Sequence, residues 1–147
     1  MLLAVLALHV NLIVVEKGKH TMTLLDHGRV VKSYHVALGP DLAPKKKKGD
    51  GRTPEGRYII DGRNAASHYH RALHISYPSA ADRRNARRRG VDPGGDIMIH
   101  GLPNGTGKLG KLHLARDWTL GCIAVTDEEI EEIWKLVPNG TPIVIKP

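Results

Sequence analysis

The chain has 147 residues, a net charge of +7 and no phenylalanine. That is one domain's length of chain, and its core has to be built from Val, Ile, Leu and Ala, a supply that favours strands. A single cysteine excludes an internal disulfide, and the basic balance suits an anionic partner without choosing among nucleic acid, a membrane surface and an acidic polymer.

Residues Met1 to Leu8 are almost all apolar. The run resembles the core of a signal peptide, but no Lys or Arg precedes it and no small-residue cleavage site follows. It is also too short to cross a bilayer as a helix. Residues 1–9 are therefore set apart as an apolar segment, either a leader remnant or a first buried strand, and residues 10–147 form the domain.

Asn11 to Val15, Thr21 to Leu25 and Val30 to Leu38 carry strand patterns. The last two are joined across Asp26-His27-Gly28-Arg29, a hairpin signal. From Gly39 to Gly56 the chain holds three Pro, four Gly and the run Lys45 to Lys48. This is expected to be a long mobile loop with a functional role. Tyr58 to Asp61 and Ala72 to Ser76 are short strand candidates. Ala80 to Arg89 predicts a polar surface helix with five Arg, closed by Gly90. Asp92-Pro93-Gly94-Gly95 is a turn, and Asp96 to His100 a buried strand that delivers His100 at its end. Gly101 to Gly110 is a second Gly-rich loop.

Thr126 and Glu129 form a capping-box pattern, and Asp127, Glu128 and Glu129 suit the positive end of a helix. Ile130, Ile133, Trp134 and Val137 then recur at helical spacing as its buried face. Pro138-Asn139-Gly140 ends the helix, and Thr141 to Lys146 is a last strand. The class is mainly β with two short helices.

The chemistry centres on Trp118-Thr119-Leu120-Gly121-Cys122-Ile123-Ala124-Val125. Gly121 lets the backbone turn sharply beside a ligand. Such a turn can aim the amides of Leu120, Gly121 and Cys122 at one point and stabilise an oxyanion. A thiol is only a few per cent ionised at neutral pH and needs a base. His100 is the candidate base, and the carbonyl of Gly101 would orient its ring. The plainer reading of a lone Cys before Ile is a small buried hydrophobe.

These motifs, taken in order, resemble the L,D-transpeptidase catalytic domain (YkuD-type). The match rests on His100-Gly101, then Thr119-Leu120-Gly121-Cys122-Ile123, with Tyr34 to Gly39 and Asp50 to Tyr58 fitting upstream elements. The resemblance implies an L,D-transpeptidase-type β-sandwich or barrel with two short surface helices. It implies a bacterial envelope enzyme, periplasmic or extracellular, acting on peptidoglycan peptide stems. Cys122, His100 and Gly101 would be catalytic, while Thr119, Trp118 and Tyr77 would bind substrate. No cofactor is needed. Leu120 and Ala124 depart from the family pattern, in which many members carry His or Lys before the Gly-Cys pair and Arg two places after the Cys.

Transfer to an amine and hydrolysis by a carboxypeptidase or amidase use the same residues. A non-enzymatic module for anionic polymers is the rival from another class. His68, His70 and His74 offer a second rival, a zinc hydrolase, but no carboxylate or second Cys completes an obvious set; they are expected to line a groove or face water. The Arg83 to Arg89 stretch and Lys45 to Lys48 lack neighbouring aromatics and any nucleic-acid motif. They are read as a solvated face, or as a contact to an anionic envelope surface, and nucleic acid is not expected as a partner.

Overall fold

The computed structural model describes residues 8–147. The apolar run at the N-terminus lies almost wholly outside the described residues. The elements are β1 (Leu12–Glu16), β2 (Thr21–Asp26), β3 (Arg29–His35), β4 (Gly56–Ser67), β5 (His70–Ile75), α1 (Ala80–Arg89), β6 (Met98–His100), β7 (Ile123–Ala124), α2 (Asp127–Leu136) and β8 (Pro142–Lys146). A 3-10 segment, Gly107–Ala115, adds a third helical element to the two expected. It is kinked at Gly110.

The strands make one mixed sheet in the order β3-β2-β1-β8-β4-β5-β6-β7. The fold is mainly β as expected, and of the two forms expected, sandwich or barrel, it leans to the second. The two edges of the sheet are pinned together at Ala37 and Ala124, whose amides and carbonyls exchange hydrogen bonds of 3.0 and 2.9 Å. Ala37 follows β3 and Ala124 lies in β7, so the sheet curls towards a barrel without a full closing ladder.

The alternation of buried Ile13 and Val15 in β1 with buried Met22 and Leu24 in β2 gives the sheet one apolar face. Against it packs α2, through Ile130 and Ile133, which are fully buried. Burial of each such side chain contributes about 1.5–3 kcal/mol. The helix starts where its capping box predicts, with Thr126 Oγ1 accepting from the Glu129 amide at 3.2 Å and Glu129 accepting from the Thr126 amide at 2.9 Å. In α1 Ser79 and Asp82 form a second capping box, and Gly90 in the left-handed region ends the helix. Only Ala86 of α1 is buried, which leaves its five arginines on the surface.

The strand candidate at 58–61 is the beginning of a longer element. β4 runs on to Ser67 by pairing with β5, with irregularities after Ile60 and after Asn64. The sequence Gly62-Arg-Asn-Ala-Ala-Ser has poor strand propensity, so its ladder partner decides its conformation.

The segment between residues 39 and 56 is organised by two charges. Lys17 is 1% exposed, and its ammonium donates to the carbonyls of Thr53 (2.8 Å) and Ala43 (3.3 Å) and to Glu55 Oε2 (3.0 Å). Asp50 accepts from the Lys45 ammonium (2.9 Å) and from the amides of Lys46, Lys47 and Arg52 at 2.8–3.1 Å. The expected loop is therefore a tied-down wall that flanks the site.

Candidate active site

Parallel pairing of β6 with β7 sets Ile99 opposite Ile123 and His100 opposite Ala124. Cys122 immediately precedes β7. It therefore enters the sheet beside β6, where the Met98 amide reaches its sulfur. The thiol and the imidazole are thus brought to the same end of the sheet from residues 22 apart in sequence.

His100 is 4% exposed. Its Nδ1 lies 2.7 Å from the Gly101 carbonyl. A carbonyl only accepts, so Nδ1 carries the hydrogen and Nε2 is left as an acceptor. Burial pushes the His100 pKa below the usual imidazole value, a shift that the Gly101 hydrogen bond opposes without cancelling. The ring is therefore neutral at neutral pH.

Cys122 Sγ lies 3.4 Å from the Asp96 carbonyl, to which it donates. Burial raises the thiol pKa, the Met98 amide partly offsets this, and Asp96 adds to it. The thiol and the imidazole are accordingly both neutral at neutral pH.

The turn before the thiol is built around Thr119. Its hydroxyl donates to the Cys122 carbonyl at 2.7 Å and accepts from the Gly121 amide at 3.2 Å. Thr119 is 4% exposed, so its side chain holds the turn. Gly121 has φ +123°, and a Cβ there would come within 2.5 Å of the Arg52 carbonyl. Gly39 packs even more closely, since its Cβ would overlap the Gly51 carbonyl at 1.8 Å. The loop and the thiol turn thus meet backbone to backbone. Leu120 projects into solvent at 85% exposure. Asp117 fixes the approach, accepting from the Leu38 amide at 2.9 Å and pairing with His20 at 2.8 Å.

Two clefts lie beside this turn, lined by neighbours of Cys122 and His100 and not by those two residues themselves. One, of about 410 Å³, is bounded by Lys45, Lys48, Asp96, Ile97 and Leu120. The other, of about 390 Å³, is an apolar groove formed by Leu102, Leu109, Leu112, His113 and Trp118. Trp118 lies between the second groove and His100, its ring 5.8 Å from the imidazole. Its indole donates to His113 Nδ1 at 3.2 Å. Tyr77 is set back from both openings. It is 3% exposed, and its hydroxyl donates to the Pro93 carbonyl at 2.7 Å.

Several contributors have no clear signal in the sequence. Asp96 offers a carbonyl, which leaves no side-chain motif. Tyr69, stacked on His100 at 4.3 Å, comes from the β4–β5 hairpin. Asp50 is legible only as one of the polar residues of a Gly-rich loop. The three histidines do not converge. His68 lies in the hairpin turn, His70 pairs with Glu131 at 2.9 Å, and His74 pairs with Asp61 at 2.5 Å. Among the described residues no cluster of three or more His, Cys, Asp or Glu side chains is placed to hold a metal. Among them, too, no helix is long and apolar enough to cross a membrane.

Comparison with known proteins converges on one family. The family model described as the L,D-transpeptidase catalytic domain matches residues 10–145. YafK of Escherichia coli (strain K12), named as an L,D-transpeptidase, is 31% identical over 119 residues, covering 80% of this chain and 39% of YafK. YqjB of Bacillus subtilis (strain 168), also named as an L,D-transpeptidase, is 27% identical over 134 residues, covering 90% of this chain and 69% of YqjB. Among solved structures, the helical cell shape determining protein Pgp2 of Campylobacter jejuni superposes with a TM-score of 0.73 at 24% identity, covering 94% of this chain and 48% of Pgp2. The chain spans well under half of YafK and about half of Pgp2.

Proposed function

The chain belongs to the L,D-transpeptidase catalytic-domain family, and from that premise we propose that it is a cysteine acyltransferase acting on peptidoglycan peptide stems in the bacterial envelope. What supports this reading is the Gly101 carbonyl, which favours the Nδ1–H tautomer of His100, together with the pairing of β6 with β7, which brings residues 100 and 122 to one end of the sheet.

In the proposed reaction His100 Nε2 takes the thiol proton as sulfur attacks the carbonyl of an L-centred residue in the stem. The tetrahedral oxyanion is held by backbone amides of the 120–122 turn. Because the Gly121 amide already serves Thr119 Oγ1, Leu120 and Cys122 carry more of that duty. Collapse of the intermediate breaks the peptide bond. His100 returns its proton to the departing amine, the terminal D-Ala, and a thioester on Cys122 remains. An amine from a second stem then attacks the thioester, gives a proton to His100 and frees the thiolate as a cross-link forms. Water in place of the amine would make the same machinery a carboxypeptidase. Gly101 contributes its carbonyl as the orienting third member, and Trp118 borders the path to the imidazole. Thr119 and Tyr77 are buried with their hydroxyls engaged by carbonyls, which favours support of the site over direct contact with the stem.

The test is intact-mass spectrometry of the protein incubated with a tetrapeptide stem. A mass increase equal to the tripeptide acyl group, lost in Cys122→Ala, is expected. Product formation by Cys122→Ala at the rate of the unaltered protein would overturn the reading.

A further inference from the structure

One hydrogen bond fixes one atom of the His100 ring, the Nδ1 held by Gly101 at 2.7 Å. A ring anchored at one atom can still swing out of plane, and a swing displaces the opposite nitrogen most. A second constraint is present. Tyr69 lies nearly flat on His100, with centroids 4.3 Å apart and 26° between the planes. Trp118 stands at the corner of the same cluster, 5.8 Å from His100 and 6.2 Å from Tyr69.

Tyr69 is itself held in place. It sits at the apex of the β4–β5 hairpin, where its amide donates to Ser67 Oγ at 3.0 Å. Its carbonyl accepts from the Gly101 amide at 3.0 Å. Asn104 ties the same apex down three times: its side chain accepts from the His70 amide (3.0 Å) and donates to the Ser67 carbonyl (3.1 Å), and its amide donates to the His68 carbonyl (2.9 Å). The hairpin is thereby fastened to the segment that begins at His100. Whatever holds the hairpin also holds the backbone from which the Tyr69 ring projects onto the imidazole.

We propose that Tyr69 is the positioning residue for His100, its ring acting with the Gly101 carbonyl to hold Nε2 aimed at the Cys122 thiol. The face of the phenol ring does this, by offset stacking, so a phenyl ring serves equally well. The proposal rests on the reading of His100 as the base and adds the group that keeps it in line. A small misplacement of a reacting group is costly in rate, so loss of the ring is expected to slow thiol activation by about tenfold.

Two measurements test it on Tyr69→Phe, Tyr69→Leu and Tyr69→Ala, with His100→Ala as reference. The first is the rate of alkylation of Cys122 by iodoacetamide across pH. The second is the nitrogen-15 NMR signature of the His100 tautomer above its titration. Tyr69→Phe is expected to match the unaltered protein in both. Tyr69→Leu, which fills much of the volume without a flat face, and Tyr69→Ala are expected to alkylate about tenfold more slowly and to show mixed tautomers. Unchanged rates and a single Nδ1–H tautomer in the Leu and Ala variants would overturn the inference. Equal loss in the Phe variant would also overturn it, by moving the effect to the hydroxyl. If His100→Ala alkylates as fast as the unaltered protein, the base assignment fails, and the tautomer comparison still decides the role of Tyr69.

Discussion

Two titratable pairs of the molecule are kept in opposite states. Lys45 and Asp50, with side chains 4% and 5% exposed, form an ion pair of 2.9 Å. His100, buried, and Cys122, half-buried, are held neutral. Burial alone pushes Asp50 upward, but the Lys45 ammonium and the amides of Lys46, Lys47 and Arg52 more than reverse that and bring its pKa to about 2. The thiol has one helpful amide, that of Met98, and faces the Asp96 carbonyl as an acceptor. The number of donors aimed at the charged form, not depth, separates the two pairs. One pair is a fixture that shapes the cleft wall. On the proposed reading, the other transfers a proton only when a substrate supplies the place for the charge.

The contrast can be broken most severely at the imidazole. His100→Ala is expected to lower the rate of thioester formation by about 10²–10⁴-fold, the usual worth of a positioned base, with the thermal midpoint little changed; acylation assays and calorimetry on the same sample check both. A rate near that of the unaltered protein would show that the pair is not a functional unit. At the fixture, Asp50→Ala strands the Lys45 ammonium and is expected to cost about 2 kcal/mol. The double variant Lys45→Met with Asp50→Ala should recover much of that loss, and denaturant titration of the three variants measures the coupling.

Acid sharpens the comparison with the smallest perturbation. The folded pKa of Asp50 lies below its usual value of 3.8, so its contribution is complete above pH of about 4 and fades as pH falls towards about 2. The His100 pKa is lowered from 6.5. The base is therefore available above that lowered value, and the acid limb of acylation should fall below pH 6.5 while the fold is still intact. Parallel pH profiles of activity and of tryptophan fluorescence are expected to separate the two events. A single shared midpoint would contradict the assignment.

Local features are readable in the sequence and distant ones are dark. Helix ends are legible where the cue is local, as with the capping box Thr126–Glu129 and with Gly90 after α1, while the Ser79–Asp82 box is seen only in the structure. His100, Gly101 and Cys122 are legible because each glycine marks a place where the backbone must come close to something. The extension of β4 to Ser67 is not, since residues 62–67 lack strand propensity and are held by β5. The 3-10 segment from Gly107 to Ala115 has a kink at Gly110 and no helical periodicity to announce it. Tyr69 is hidden for the same reason as the far end of β4: its partner is 31 residues away, and only the folded hairpin brings them together. Tyr77 and Thr119 can be placed in the neighbourhood from the sequence, but nothing in it reveals that their hydroxyls are already engaged by the Pro93 and Cys122 carbonyls.

The bridge between Ala37 and Ala124 bears on how any peptide reaches the thiol. An incoming chain often docks by adding a strand to a free sheet edge, taking its affinity from main-chain ladders. Beside Cys122 that edge is already occupied by the protein's own backbone, so register along a strand cannot select the guest. On the proposed reading, the side chains around the thiol turn would then carry more of the recognition than a main-chain ladder.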